Sequence, residues 1–152
     1  MTEKLFDVSA FAYAHRGLWG GDVPENSLAA FRRAASGAFG AELDVRLTAS
    51  GLPVVFHDPT FERLCGDPRR VDQISLQELW GIRLPDGSNI PPLDDALSVM
   101  GDNPVLIELK VDTPGDIRIA DAVVRLLKDR DGQYGLMSFD DTTVAWLCEQ
   151  TR

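Results

Sequence analysis

The chain has 152 residues, 44% of them hydrophobic and 26% charged, with 24 acidic side chains against 15 basic and a formal charge of −9. That composition describes one soluble globular domain, and its negative charge argues against nucleic-acid partners and anionic membrane surfaces alike. The start, MTEKLFDVSAFAYAHRG, lacks the basic-then-apolar plan of a secretory leader, and no window approaches the roughly 20 apolar residues of a membrane span, so a cytoplasmic protein without membrane insertion is expected.

Along the chain, short apolar runs alternate with longer helical patterns, the signature of βαβ units around a parallel sheet. Residues 11–15 predict a first strand, followed by a glycine-rich loop through Gly17, Gly20 and Gly21. Pro24, Glu25, Asn26 and Ser27 mark a helix entry; Leu28, Phe31 and Ala35 share one helical face, and the stretch 37–40 closes that helix. A second strand at 41–47 turns through Ala49, Ser50 and Gly51 into a third at 53–57. The link is too short for a parallel crossover, so a hairpin or bend is expected.

Residues 58–72 read as loop. Ser75 and Glu78 have capping-box spacing ahead of a short helix. After a polar loop at 85–92, Leu93, Ala96, Leu97 and Met100 predict another amphipathic helix. Residues 105–110 form a strand, Ile117, Ala120, Val124 and Leu127 a helical face, and 134–139 a last strand. Asp140 then caps a terminal helix carrying Val144 and Leu147. Cys65 and Cys148 show no metal-ligand or redox spacing and are expected to be reduced thiols.

Strands of a parallel sheet are covered on both faces and should be nearly continuous apolar runs. The second strand breaks that rule: its alternation puts Glu42, Asp44 and Arg46 on one face and Leu43 and Val45 on the other. Glu108 and Lys110 likewise share a face opposite Leu109. Buried charges must meet partners, a metal or solvent. One reading is local pairing, Glu42 or Asp44 with Arg46 and Glu108 with Lys110. The other is that three carboxylates converge as hard oxygen ligands for Mg²⁺ or Ca²⁺.

The two histidines of the chain, His15 and His57, each end an apolar run. The carboxyl ends of strands build the active sites of α/β folds, and a pair of imidazoles can serve as general acid and general base near neutral pH. Arg16 and Lys110 add cations able to hold an anion. Proton movers, metal ligands and cations together describe phosphoryl chemistry. A sugar isomerase or aldolase would also gather such groups, but Lys110, two residues from Glu108, reads as a paired cation rather than a Schiff-base lysine.

In order, His15-Arg16-Gly17, Pro24-Glu25-Asn26-Ser27, Glu42-Leu43-Asp44-Val45, Val55-Phe56-His57-Asp58 and Ile107-Glu108-Leu109-Lys110 resemble the glycerophosphodiester phosphodiesterase family, and Met137-Ser138-Phe139-Asp140 extends the match. The resemblance implies an α/β fold of the (β/α)₈ TIM-barrel type and hydrolysis of glycerophosphodiesters, small-molecule substrates, to glycerol 3-phosphate and an alcohol. It implies His15 and His57 as the acid/base pair and Glu42, Asp44 and Glu108 as ligands of Mg²⁺ or Ca²⁺. Arg16 and Lys110 fall near the phosphate, with Glu25 and Asn26 in support, Glu25 positioning His15 or Arg16.

Such barrels typically need about 250 residues, so the expectation is an incomplete barrel: the first five or so strands and their helices, with 1–152 as the N-terminal part of a single domain. A truncated product is expected ahead of self-association through the open sheet and of a small stand-alone fold. An inactive remnant or a phosphodiester-binding module is the alternative function. An unclosed sheet should also leave its inward face, with Tyr13 and Val55, partly exposed.

Overall fold

The computed structural model describes residues 7–150. After a 3₁₀ turn at Val8–Ala10, strand β1 (Tyr13–His15) leads through the glycine loop to helix α1 (Leu28–Ser36) and back to β2 (Gly40–Leu47), parallel to β1. Ser27 caps α1 by accepting the Ala30 backbone N–H. A tight turn then sends β3 (Pro53–Val55) antiparallel along β2, with Val45 opposite Val55, which is the hairpin the short link demanded.

The chain next makes a long excursion containing α2 (Glu62–Cys65), a 3₁₀ turn at Val71–Gln73 and α3 (Leu76–Leu79). Ser75 and Glu78 form the reciprocal capping box at the start of α3. Helix α4 (Leu93–Met100) leads to β4 (Val105–Leu109), and α5 (Arg118–Leu127) to β5 (Tyr134–Met137). Helix α6 (Asp141–Gln150) follows, with Asp140 accepting both the backbone N–H and the hydroxyl of Thr143.

The strand order is β1-β2-β4-β5, all parallel, with β3 attached to β2 off this path. Four strands are therefore staves of a partial α/β barrel, and the hairpin arm adds none. On β2, Leu43 and Val45 are fully buried against Phe31 and Ala34 of α1 and Leu93, Leu97 and Met100 of α4. Ile107 and Leu109 of β4 and Ile119, Ala120 and Val123 of α5 belong to the same core. Burying that apolar face forces the alternate residues, Glu42, Asp44, Arg46 and Glu108, onto the inner face.

Several local expectations need correction, among them the last strand, which ends at Met137, and β4, which ends at Leu109. The first strand begins at Tyr13, not residue 11, and β3 stops at Val55, leaving His57 in the loop beyond it. The 58–72 segment is not all loop, since it contains α2 and the 3₁₀ turn. Val55 is not exposed: opposite Val45 in register, it shares that residue's helix-facing side and is fully buried. Tyr13, opposite Gly40, does point inward and is half-buried. Among the described residues, no helix is long and apolar enough to cross a membrane.

A second core lies under the excursion, built from Val54, Phe56, Phe61, Val71, Ile74, Leu79, Ile82, Leu84 and Ile90. Phe56 and Phe61 pack with ring centroids 5.0 Å apart. These two aromatics pin both ends of the loop carrying His57 and Asp58, so that polar segment is anchored by an apolar contact on each side.

Candidate active site

Glu42, Asp44 and Glu108 each present a carboxylate oxygen within 4.8 Å of the others. The parallel register that sets Asp44 beside Glu108 creates this cluster. Their side chains are 12%, 1% and 9% exposed, so water does little to relieve their mutual repulsion. The Glu42 carboxyl is accordingly pushed above the usual glutamate range by burial and then by the Asp44 charge, partly offset by the Arg16 backbone N–H.

Arg16 and Lys110 flank the cluster. Lys110 Nζ donates to Glu108 Oε1 at 2.6 Å and lies 3.0 Å from Asp44 Oδ1. Arg16 Nη1 donates to Glu25 Oε1 at 3.0 Å, Nε lies 3.3 Å from Asp44 Oδ2, and its backbone N–H donates to Glu42 Oε2 at 3.2 Å. The close approaches of Lys110 and Arg16 Nε to Asp44 are ion pairs without hydrogen-bond alignment, and Asp44 Oδ1 accepts no hydrogen bond. A buried carboxylate oxygen that accepts no aligned hydrogen bond, next to two further carboxylates, is a hard-donor set suited to a divalent cation.

The supporting residues take definite positions. Asn26, 1% exposed, donates from Nδ2 to Asp44 Oδ2 at 2.9 Å and fixes that carboxylate. Glu25 positions Arg16, not His15. Both loops are shaped for this: Arg16, Asn26 and Gly17 have φ of +58°, +54° and +77°, and a Cβ on Gly17 would sit 2.8 Å from that of Ala30.

His15 follows the cluster on the rim, its Nε2 3.8 Å from Glu42 Oε2 and its side chain 68% exposed. His57 is half-buried, with Nδ1 2.6 Å from Asp58 Oδ1. Arg63 holds Asp58 through Nε at 2.5 Å and Glu25 through Nη2 at 2.6 Å. Burial alone would raise the Asp58 carboxyl, but the hydrogen bonds from Arg63 and His57 outweigh it and hold it below the usual aspartate range. A cleft of about 260 Å³ opens beside Glu108 and Lys110, with Arg46, Ser138 and the largely exposed Phe139 on its wall.

Of the nine residues singled out in the sequence, His15, Glu42, Asp44 and Glu108 lie on β1, β2 and β4, Arg16, Glu25 and Asn26 in the loop after β1, Lys110 just after β4, and His57 in the loop after β3. The local-pairing alternative holds only in part. Glu108 does pair with Lys110, but Arg46 turns away from Glu42 and Asp44 to bind both carboxylate oxygens of Asp112 at 2.9 Å and the carbonyl of His57 at 2.7 Å. Sequence reasoning missed Arg63, Asp112 and Trp19, whose Nε1 donates to the His15 carbonyl at 3.0 Å. For Arg63 the available signal was its closeness to His57-Asp58 in a segment otherwise read as loop.

Comparison with known proteins agrees with the partial barrel. The profile of the glycerophosphoryl diester phosphodiesterase family matches residues 15–140. A glycerophosphodiester phosphodiesterase of Caldanaerobacter subterraneus subsp. tengcongensis is 39% identical over 106 residues, covering 64% of this chain and 43% of that protein. A glycerophosphodiester phosphodiesterase from Thermotoga maritima superimposes with a TM-score of 0.75 at 32% identity, over 93% of this chain and 58% of that one. An Oleispira antarctica phosphodiesterase, in complex with the product sn-glycerol-3-phosphate, gives a TM-score of 0.82 at 28% identity, over 90% of this chain and 61% of that one. The chain therefore spans less than two thirds of each of these relatives, and the family match over residues 15–140 includes the carboxylates, cations and histidines described above. With a matched profile from His15 to Asp140 and the corresponding partial barrel, the chain belongs to the glycerophosphoryl diester phosphodiesterase family.

Proposed function

We propose that this chain carries the catalytic groups for metal-dependent hydrolysis of glycerophosphodiesters to glycerol 3-phosphate and an alcohol. The observation that carries this reading is the buried trio Glu42, Asp44 and Glu108, whose carboxylate oxygens lie within 4.8 Å of one another, with His15 Nε2 3.8 Å from Glu42. These three residues would hold Mg²⁺ or Ca²⁺, which when bound supplies positive charge toward the phosphate oxygens and lowers the pKa of a hydroxyl or water at the site. Arg16 and Lys110 add fixed positive charge beside it and orient the phosphodiester. One of His15 and His57 accepts the proton of the attacking water or glycerol hydroxyl, and the other protonates the leaving alcohol; where the glycerol hydroxyl attacks, water then opens the cyclic phosphate to glycerol 3-phosphate. Glu25 and Asn26 keep Arg16 and Asp44 in register.

What favours catalysis over an inactive remnant or a binding module is that acid/base, metal and phosphate groups are all retained, with hydrogen-bonded supports. The reading takes 1–152 as the N-terminal part of a single such domain, acting on a small soluble diester in the cytoplasm. It also includes self-association: among the described residues β1 and β5 end the parallel strand order, and Met137 and Phe139 at the β5 end are 38% and 87% exposed, so a second copy could supply further staves. Hydrolysis of bis(p-nitrophenyl) phosphate in Mg²⁺ or Ca²⁺ tests the catalytic reading, with loss of activity in chelator expected and chelator-insensitive activity against it.

A further inference from the structure

Arg63 lies on the first turn of α2, and its guanidinium is divided between carboxylates from two different loops. Toward the loop before α1, Nη2 donates to Glu25 Oε1 at 2.6 Å and Nη1 to Oε2 at 3.4 Å. Toward the loop after β3, Nε donates to Asp58 Oδ2 at 2.5 Å, and Nη2 reaches Asp58 Oδ1 at 3.3 Å. Glu25 also accepts from Arg16, and Asp58 Oδ1 meets His57 Nδ1 at 2.6 Å. Arg16, Glu25, Arg63, Asp58 and His57 therefore form one continuous hydrogen-bonded chain that joins the phosphate-facing arginine to a histidine.

The division of labour on Asp58 matters. Arg63 Nε takes Oδ2 at 2.5 Å and Nη2 reaches Oδ1 only at 3.3 Å, so the short contact of Oδ1, 2.6 Å, is with the imidazole. A carboxylate oxygen can only accept, so the neutral ring must carry its proton on Nδ1 and present the Nε2 lone pair outward. A guanidinium suits this task because its planar fork fixes an orientation that a lysine point charge would not.

We propose that Arg63 is a positioning residue that, by gripping Asp58, fixes the group that meets His57 Nδ1, so that the Nδ1–H tautomer is kept and Nε2 is left as the proton acceptor facing the substrate. Only the assignment of Nε2 to proton transfer rests on the proposed function; the control of the tautomer stands on the contacts themselves. A purely structural role, tying two loops together, would leave the tautomer indifferent to how Asp58 is oriented.

The test reads the ring nitrogens of His57 by ¹⁵N NMR in the full chain at a pH where the imidazole is neutral, with His15 as the internal reference. The unaltered chain shows the Nδ1–H tautomer. In Asp58→Asn the amide oxygen stays on Arg63 and the amide NH₂ faces Nδ1, so the tautomer inverts to Nε2–H. Adding Arg63→Met, or Arg63→Ala should that combination not fold, frees the amide to rotate, and the Nδ1–H form returns while His15 is unchanged throughout. The same His57 tautomer in Asp58→Asn with and without Arg63 overturns the proposal. Kinetically, Arg63→Met alone lowers kcat by roughly 10²-fold with KM little changed. Absence of turnover in the unaltered chain would count against the proposed function, and the tautomer pattern would still decide the role of Arg63.

Discussion

Asn26 donates from Nδ2 to Asp44 Oδ2 at 2.9 Å, with both side chains at most 1% exposed. This bond leaves Asp44 Oδ1 as the atom without a hydrogen-bond partner. Asn26→Ala removes a buried donor and places alanine at a φ of +54°. The expected loss of stability is about 1–3 kcal/mol from the unpaired carboxylate oxygen. Cation affinity should fall by roughly 10–100-fold, the usual consequence of losing a partner that orients a ligand. Denaturant midpoints and calorimetric titration with Mg²⁺ or Ca²⁺ check the two effects separately.

Gly17 links fold to site in a different way. Its φ of +77° and its contact with Ala30 leave no room for a side chain. Gly17→Ala should destabilise by more than about 1 kcal/mol, and the loop must shift to relieve the clash. That shift carries the Arg16 backbone N–H away from Glu42. Weaker cation binding should therefore accompany the stability loss, whereas Gly51→Ala, with an equally positive φ but open space around it and no site contact, should alter stability alone.

The acid limb of stability should carry the mark of Asp58. Its carboxyl is held below the usual range by Arg63 and His57 against the opposing effect of burial. The folded pKa is depressed, so the unfolded chain binds more protons between the two values and stability falls as pH falls. The contribution is fully present above the ordinary aspartate value of 3.8 and is lost as pH drops through the lowered folded value. In Asp58→Asn that part of the acid dependence should disappear, measured by urea unfolding across the acidic range.

Self-association predicts its own dependence on the open edge. The 152-residue chain should sediment as a dimer or larger species at micromolar concentration, and Phe139→Asp should shift it toward monomer without changing its circular dichroism spectrum. A monomer across the whole concentration range contradicts that part of the account.

Much of this arrangement was legible in the sequence because its causes are local. The alternation of Glu42, Asp44 and Arg46 with Leu43 and Val45 gave the inner and outer faces of β2, and the short link after residue 47 required the hairpin. The Ser75–Glu78 box and the Asp140 cap depend on spacings of three residues. The illegible parts depend on distant partners. Arg46 shares a face with Glu42 and Asp44, yet its carboxylate partner is Asp112, 66 positions away. Val55 is buried because register aligns it with Val45, and register across a hairpin was not readable from composition. Helix α2 is four residues long, too short to leave a periodic pattern, so the Arg63 contacts with Glu25 and Asp58 stayed hidden.

In the proposed reaction the Glu42, Asp44 and Glu108 cluster and the two histidines perform phosphodiester hydrolysis together. The most direct measurement is steady-state release of glycerol 3-phosphate from glycerophosphocholine by the 152-residue chain, in Mg²⁺ or Ca²⁺ and in chelator, alongside Asp44→Asn, His15→Ala and His57→Ala. Multiple turnovers that chelator abolishes and added cation restores are expected, with each substitution lowering kcat by at least about 10²-fold. Tight binding of the diester without turnover, or turnover indifferent to chelator and to both histidines, would contradict the proposed reaction.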